Sequence, residues 1–253
     1  MLKRASKLST IIIILSCLIL LCCSCAMSSR KERALAEKNM GSSLVLEGKP
    51  REGLVHLLEA EKINASNPEL QHQLGLAYQK IGEFDLSLKH FQKAIKLNPK
   101  YPEVFNDMGI LYSQQKEWDN ALDCFGKAIA DILYRTPHFA YHNIGSVYFH
   151  KGDYSRAIEN YEMAIKLSPA YIPAYLDLAA LYESIDMQEK AILTYEKALS
   201  VVPQSWNIYL SLSRLYIKMG QESKAVKQLN KVILTDPRSP YAIEAKRILD
   251  SLQ

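Results

Sequence analysis

From about Ala34 onward, apolar positions recur at spacings of three, four and seven, the signature of helices with one buried face. The pattern itself repeats with a period of 34 residues. A small residue recurs at Gly41, Gly75, Gly109, Gly145, Ala179 and Ser213, with Tyr78, Tyr112, Tyr148, Tyr182 and Tyr216 three positions after the last five. In the second half of each unit, Leu57, Phe91, Phe125, Tyr161, Tyr195 and Leu229 share one phase. Ala60, Ala94, Ala128, Ala164, Ala198 and Val232 share another. The small column admits a neighbouring helix, and the large residues fill the space beside it. Gly48, Gly82, Gly152 and Gly220 fall where a first helix should stop in the left-handed conformation. Pro99, Pro169, Pro203 and Pro237 end second helices, because proline lacks the N–H a helix needs. Each unit therefore reads as a helical hairpin, and the fold class as all-α.

This pattern resembles the tetratricopeptide repeat (TPR). Six units fit, at 34–67, 68–101, 102–137, 138–171, 172–205 and 206–239. The first is degenerate, with Pro50 and Gly53 in its second half. Residues 240–253 read as a helix that caps the last apolar face. The resemblance implies a right-handed α-solenoid whose first helices line a concave side.

Charge and cysteine change the picture only at the N-terminus. The formal charge is +4, but removing Lys3, Arg4 and Lys7 leaves 28 basic against 27 acidic residues. The body therefore has no cationic field to attract nucleic acid. Four of five cysteines lie at Cys17, Cys22, Cys23 and Cys25, so only Cys124 remains in the body and a disulfide framework there is excluded. Three cations, an Ile/Leu run through Leu21 and a small-residue zone have the order of a signal peptide over 1–24. A cysteine after such a run resembles a bacterial lipoprotein signal, with lipid on Cys25 and Cys23 or Cys17 as alternatives. Residues 25–33 then form the lipidated N-terminus and tether. Ala26 after Cys25, where Asp would mark inner-membrane retention, points to the periplasmic face of the outer membrane. An uncleaved inner-membrane anchor is the alternative.

One irregularity breaks the period. Gly109 and Gly145 are 36 apart, so two extra residues lie within Asp131–Pro137. Solenoids tolerate such loop insertions. A lipoprotein signal, a short tether, six repeats and an Asp-x-Leu-Tyr insertion after the third together resemble the type IV pilus pilotin family (PilF, PilW and Tgl type). The resemblance runs through Asn106–Ser168 and includes Gly109, Asp131, Leu133, Tyr134, Asn143 and Gly145. It implies a non-catalytic factor that helps a secretin subunit reach the outer membrane and assemble. The irregular cysteine box and the regular repeats four to six depart from that family. A general envelope scaffold for periplasmic proteases or cell-wall enzymes is the alternative.

No catalytic constellation is visible. His138 and His142 are four apart, but no further ligand completes a metal set, so neither metal nor cofactor is expected. Cys124 beside Phe125 reads as a small hydrophobe. What remains is a binding groove on the first helices, expected at His72, Leu76, Asn106, Ile110, Phe139, His142, Phe149 and Leu176. An apolar or amphipathic protein segment suits that lining, with no nucleic acid and no small-molecule substrate.

Overall fold

The computed structural model describes residues 29–252, which contain thirteen α-helices and no strand. In chain order they are α1 (29–46), α2 (Pro50–Ile63), α3 (Pro68–Ile81), α4 (Phe84–Leu97) and α5 (Pro102–Gln114). Next come α6 (Trp118–Ile129), α7 (Pro137–His150), α8 (Tyr154–Leu167) and α9 (Ile172–Ser184). The last are α10 (Gln188–Val201), α11 (Trp206–Lys218), α12 (Glu222–Thr235) and α13 (Pro240–Asp250). The expected signal peptide and lipidation sites lie outside the described residues. Of the expected tether, residues 29–33 are helical and open α1. Among the described residues, no helix is long and apolar enough to cross a membrane. The chain divides into two compact units, one ending at Leu111 and one beginning at Tyr112.

Prolines at the helix entries refine the expected repeat boundaries. Pro68 and Pro137 open first helices, where the missing N–H costs nothing. The fourth repeat thus begins at Pro137, one residue earlier than the apolar pattern alone suggests. Pro50 likewise opens α2 and leaves its interior intact. Side chains of Asn67, Asp153 and Ser239 accept from the N–H groups of Leu70, Arg156 and Ala242, capping α3, α8 and α13.

In the first unit the core is made by Val45, Leu57, Leu70, Leu74 and neighbouring alanines. The small column works by contact. A Cβ on Gly75 would overlap the Phe91 ring, and one on Gly53 would stand 2.6 Å from the Gly41 carbonyl. Ser87 Oγ donates to the Gly75 carbonyl at 2.8 Å, so its hydroxyl is spent on the helix crossing.

In the second unit a continuous core runs from Ala157 to Ala225, with Tyr161, Tyr175, Tyr182 and Tyr195 inside it. A Cβ on Gly145 would reach Tyr161 at 2.7 Å, the same pairing sixteen residues apart. Leu229, Val232, Ala245 and Ile248 join α12 to the terminal helix α13. Glu244 on α13 holds Arg214 and Arg247, whose guanidinium groups draw its pKa down to about 2. The tyrosines that follow the small column have a second role. Arg156 lies 4.3 Å over the Tyr148 ring, and Lys190 and Lys224 lie 5.4 Å over Tyr182 and Tyr216.

Gly48, Gly82, Gly152 and Gly220 all have positive φ, as their spacing predicts. Lys116 and Asp186 hold the same turn in the third and fifth repeats at φ 61° and 62°. A side chain in that conformation is strained by about 1–2 kcal/mol. Lys116 is exposed. Lys116→Gly is therefore expected to stabilise the second unit by about 0.5–1 kcal/mol, after the added entropy of the unfolded glycine is subtracted. A urea titration checks it, and an unchanged or lower midpoint would count against the strain.

A candidate peptide-binding surface

The first helices of successive hairpins carry the residues expected to line a groove. His72, Leu76, Asn106 and Ile110 belong to the first unit, and Phe139, His142, Phe149 and Leu176 to the second. They make up two sets, one in each unit.

In the first unit the structure corrects the expectation for two residues. His72 and Asn106 are each only 7% exposed and do not line an open surface. The His72 ring lies against Phe91 and Tyr101. Its Nε2 is 2.6 Å from Asp107 Oδ2 and its Nδ1 is 3.2 Å from the Tyr101 hydroxyl. A polar ring can bury when both nitrogens find partners. Asn106 donates to Asp107 at 3.4 Å. Leu76 and Ile110 remain half-buried and available. Burial, with nearby Glu69, pushes the Tyr101 pKa up to about 12.

The second unit repeats this network 70 residues later. His142 Nε2 lies 2.7 Å from Asp177 Oδ2, and Tyr171 O–H faces His142 Nδ1 at 3.3 Å. A carboxylate only accepts, so Nε2 donates to Asp177. Each network joins the first helix of one hairpin to the residues opening the next. It fixes helix against helix. Ser146, one turn after His142, spends its hydroxyl on Tyr161, whose pKa is raised by burial and by Asp177.

Around this pinned histidine the second surface is apolar. Phe139, 39% exposed, packs against His138 and edge-on against Tyr171, with centroids 4.2 Å and 5.2 Å apart. Leu176 and Phe149 are half-buried. A cavity of about 170 Å³ lies between α7 and α9, lined by Ser146, Phe149, Tyr161, Asp177 and Ala180. It is large enough for one apolar side chain and too small for a substrate of ordinary size.

The insertion is ordered by its own residues. Asp131 Oδ1 accepts from Leu133 N–H at 2.8 Å, the Asp131 carbonyl accepts from Tyr134 N–H at 3.1 Å, and Tyr134 is buried. Ile132 and Leu133, 96% and 79% exposed, are held out to solvent between these anchors.

Sequence reasoning missed Tyr101, Asp107, Tyr171 and Asp177. Their signal was present, as a tyrosine 29 and an aspartate 35 residues after each histidine, duplicated 70 apart. His138 contacts the rings of Phe139 and Tyr171, and no cluster among the described residues is arranged to hold a metal ion. Cys124 is buried, and burial with nearby Asp123 pushes its thiol up to about 11. The thiolate is the reactive form. Iodoacetamide at pH 8 is therefore expected to leave the Cys124 peptide unmodified in native protein and to alkylate it fully in urea, as read by mass spectrometry. Alkylation without denaturant would contradict that burial.

The helical-hairpin fold has known likenesses. Models described as tetratricopeptide repeat match residues 68–101, 90–123 and 186–249, and a further TPR repeat model matches 145–185. No curated protein sequence matches the chain. Among solved structures, the chain is similar to PilF of Pseudomonas aeruginosa at 21% identity and a TM-score of 0.68, covering 87% of this chain and 99% of that one. It is similar to PilW, a widely conserved type IV pilus biogenesis factor, at 19% identity and a TM-score of 0.70, covering 85% and 98%. MamA is similar at 26% identity and a TM-score of 0.53, covering 70% and 97%. The likeness to PilF and PilW is one of fold.

Proposed function

From the premise that the chain is a tetratricopeptide-repeat protein, we propose that it is a non-catalytic adaptor which holds a segment of another protein on the first helices of its hairpins. The observation that carries this reading is the second-unit surface. There Phe139, Phe149 and Leu176 present apolar area on helices pinned by the His142–Asp177 pair. Apolar groups on a rigid frame bind with little ordering cost.

The finer reading is a lipid-anchored assembly factor for a type IV pilus secretin, at the periplasmic face of the outer membrane. The N-terminal pattern, the Asp131–Tyr134 insertion and the shared fold with PilF and PilW support it. Lipid on Cys25 would hold the hairpins at the membrane, and captured subunits would multimerise at raised effective concentration. One acyl chain binds only marginally, so the several chains of a mature lipoprotein matter.

Two measurements test it in cells. Palmitate labelling of wild type and Cys25→Ala, followed by membrane fractionation, is expected to show label in the outer membrane that the substitution removes. Label retained in the variant moves the site to Cys23 or Cys17, and none in either sinks the anchor. A photo-crosslinking residue at position 139 is expected to trap the secretin. Trapping of cell-wall enzymes or proteases instead would favour the general scaffold.

A further inference from the structure

A cavity of about 660 Å³ opens between α8 and α10, with α9 as its floor. It belongs to the second unit and uses Tyr175, Leu178 and Tyr182 of α9, a different face from Leu176 and Ala180. Its size is that of small-molecule sites. It is unconnected with the reading above.

Three observations fix the chemistry of an occupant. The first is an orphaned donor in the floor. Tyr175 is completely buried, yet its hydroxyl has no hydrogen-bond partner among the described residues. A buried hydroxyl without a partner is costly, and native cores seldom keep one without a reason. Burial raises its pKa, so it remains a phenol that can donate.

The second is uncompensated charge at the rim. Lys166, Lys190 and Lys197 border the cavity, and none forms an ion pair among the described residues. The bordering carboxylate, Glu162, already receives the Tyr182 hydroxyl. Lys190 rests over the Tyr182 ring, and its flexible stem leaves the ammonium able to turn to an anion.

The third is apolar surface left in water. Leu193 is 63% exposed and Val201 42% exposed on the α10 wall, opposite Ile165 of α8. Hydrocarbon lying there would remove that surface from solvent.

We propose that this cavity binds a carboxylate carried on an apolar chain, with the hydrocarbon between α8 and α10 and the carboxylate held by the lysine rim and the Tyr175 hydroxyl. An uncharged amphiphile satisfies the walls and leaves the lysines unmatched. A cationic one is repelled.

The test uses the full chain in lipid nanodiscs and a diazirine-bearing decanoate as the probe. After irradiation, the labelled peptides are mapped by mass spectrometry. Label is expected on α8–α10, competed by decanoate at least tenfold better than by decyl maltoside or decyltrimethylammonium. Tyr175→Phe keeps the ring and removes the orphan hydroxyl. It is expected to weaken decanoate competition about tenfold while leaving the melting temperature of the unliganded protein equal or higher. Lys166→Gln with Lys197→Gln is expected to erase the preference for decanoate over the maltoside. Label scattered over the molecule overturns the proposal. So does equal competition by all three amphiphiles, or a Tyr175→Phe variant that binds as wild type does. A Tyr175→Phe variant that melts well below wild type would also overturn it, since the hydroxyl would then be serving the fold.

Discussion

Truncating Phe91 to alanine is expected to cost the first unit about 3–5 kcal/mol, as for other fully buried phenylalanines. Its ring fills the space that Gly75 leaves on the facing helix, and the two positions should be strongly coupled. In the wild type, Gly75→Ala drives a methyl into the Phe91 ring and should destabilise by about 1–3 kcal/mol. In the Phe91→Ala background the ring is gone. There the same substitution should gain up to about 1 kcal/mol from helix propensity. Gly126 supplies the control, since a Cβ there meets nothing within 4 Å among the described residues. Gly126→Ala should stabilise slightly in both backgrounds. Amide exchange across α3 and α4, read with urea titrations, measures the cycle without assuming that the array unfolds in one step. A Gly75→Ala effect of the same sign in both backgrounds would show that the small column is not set by the ring opposite.

Binding is where the second large effect is expected. Ala180 is exposed and lines the small cavity beside Asp177, so Ala180→Arg should fill that space without touching the core. Phe139→Ala removes an exposed aromatic ring of the same surface. Apolar anchors in small pockets carry much of the energy of an interface, often 2 kcal/mol or more each. The double variant should therefore lose about 100-fold or more in affinity for the proposed partner, a purified secretin subunit, in calorimetry. Its circular dichroism and melting temperature should stay near wild type. Retained affinity would move the partner off this face.

The hairpins were legible because each column answers a separate local demand. Gly75 must be small for Phe91, Gly82 must reach positive φ, and Pro102 must begin a helix. Six repetitions turn weak single signals into one firm pattern. The surface was less legible because its polar contacts join different repeats. His72 looks available from its own helix, but Tyr101 and Asp107 reach it from the next repeat and bury it. His142 follows the same rule with Tyr171 and Asp177. The tyrosines after the small column read as plain core. The cations eight residues on from Tyr148, Tyr182 and Tyr216 show that these rings also serve as cation platforms. The insertion was visible as a break in period. Only the placement of Tyr134 inside and of Ile132 and Leu133 outside shows what the extra residues do.

The central claim is that the first-helix faces hold another polypeptide. Methyl NMR of the chain, labelled at isoleucine and leucine and titrated with the proposed partner, a secretin subunit, tests it most directly. The account predicts shifts at Leu176, with Leu76 and Ile110 as the candidates in the first unit, while exposed Leu234 on α12 stays still. Shifts gathered on second-helix methyls such as Leu234, with Leu176 unmoved, would contradict it.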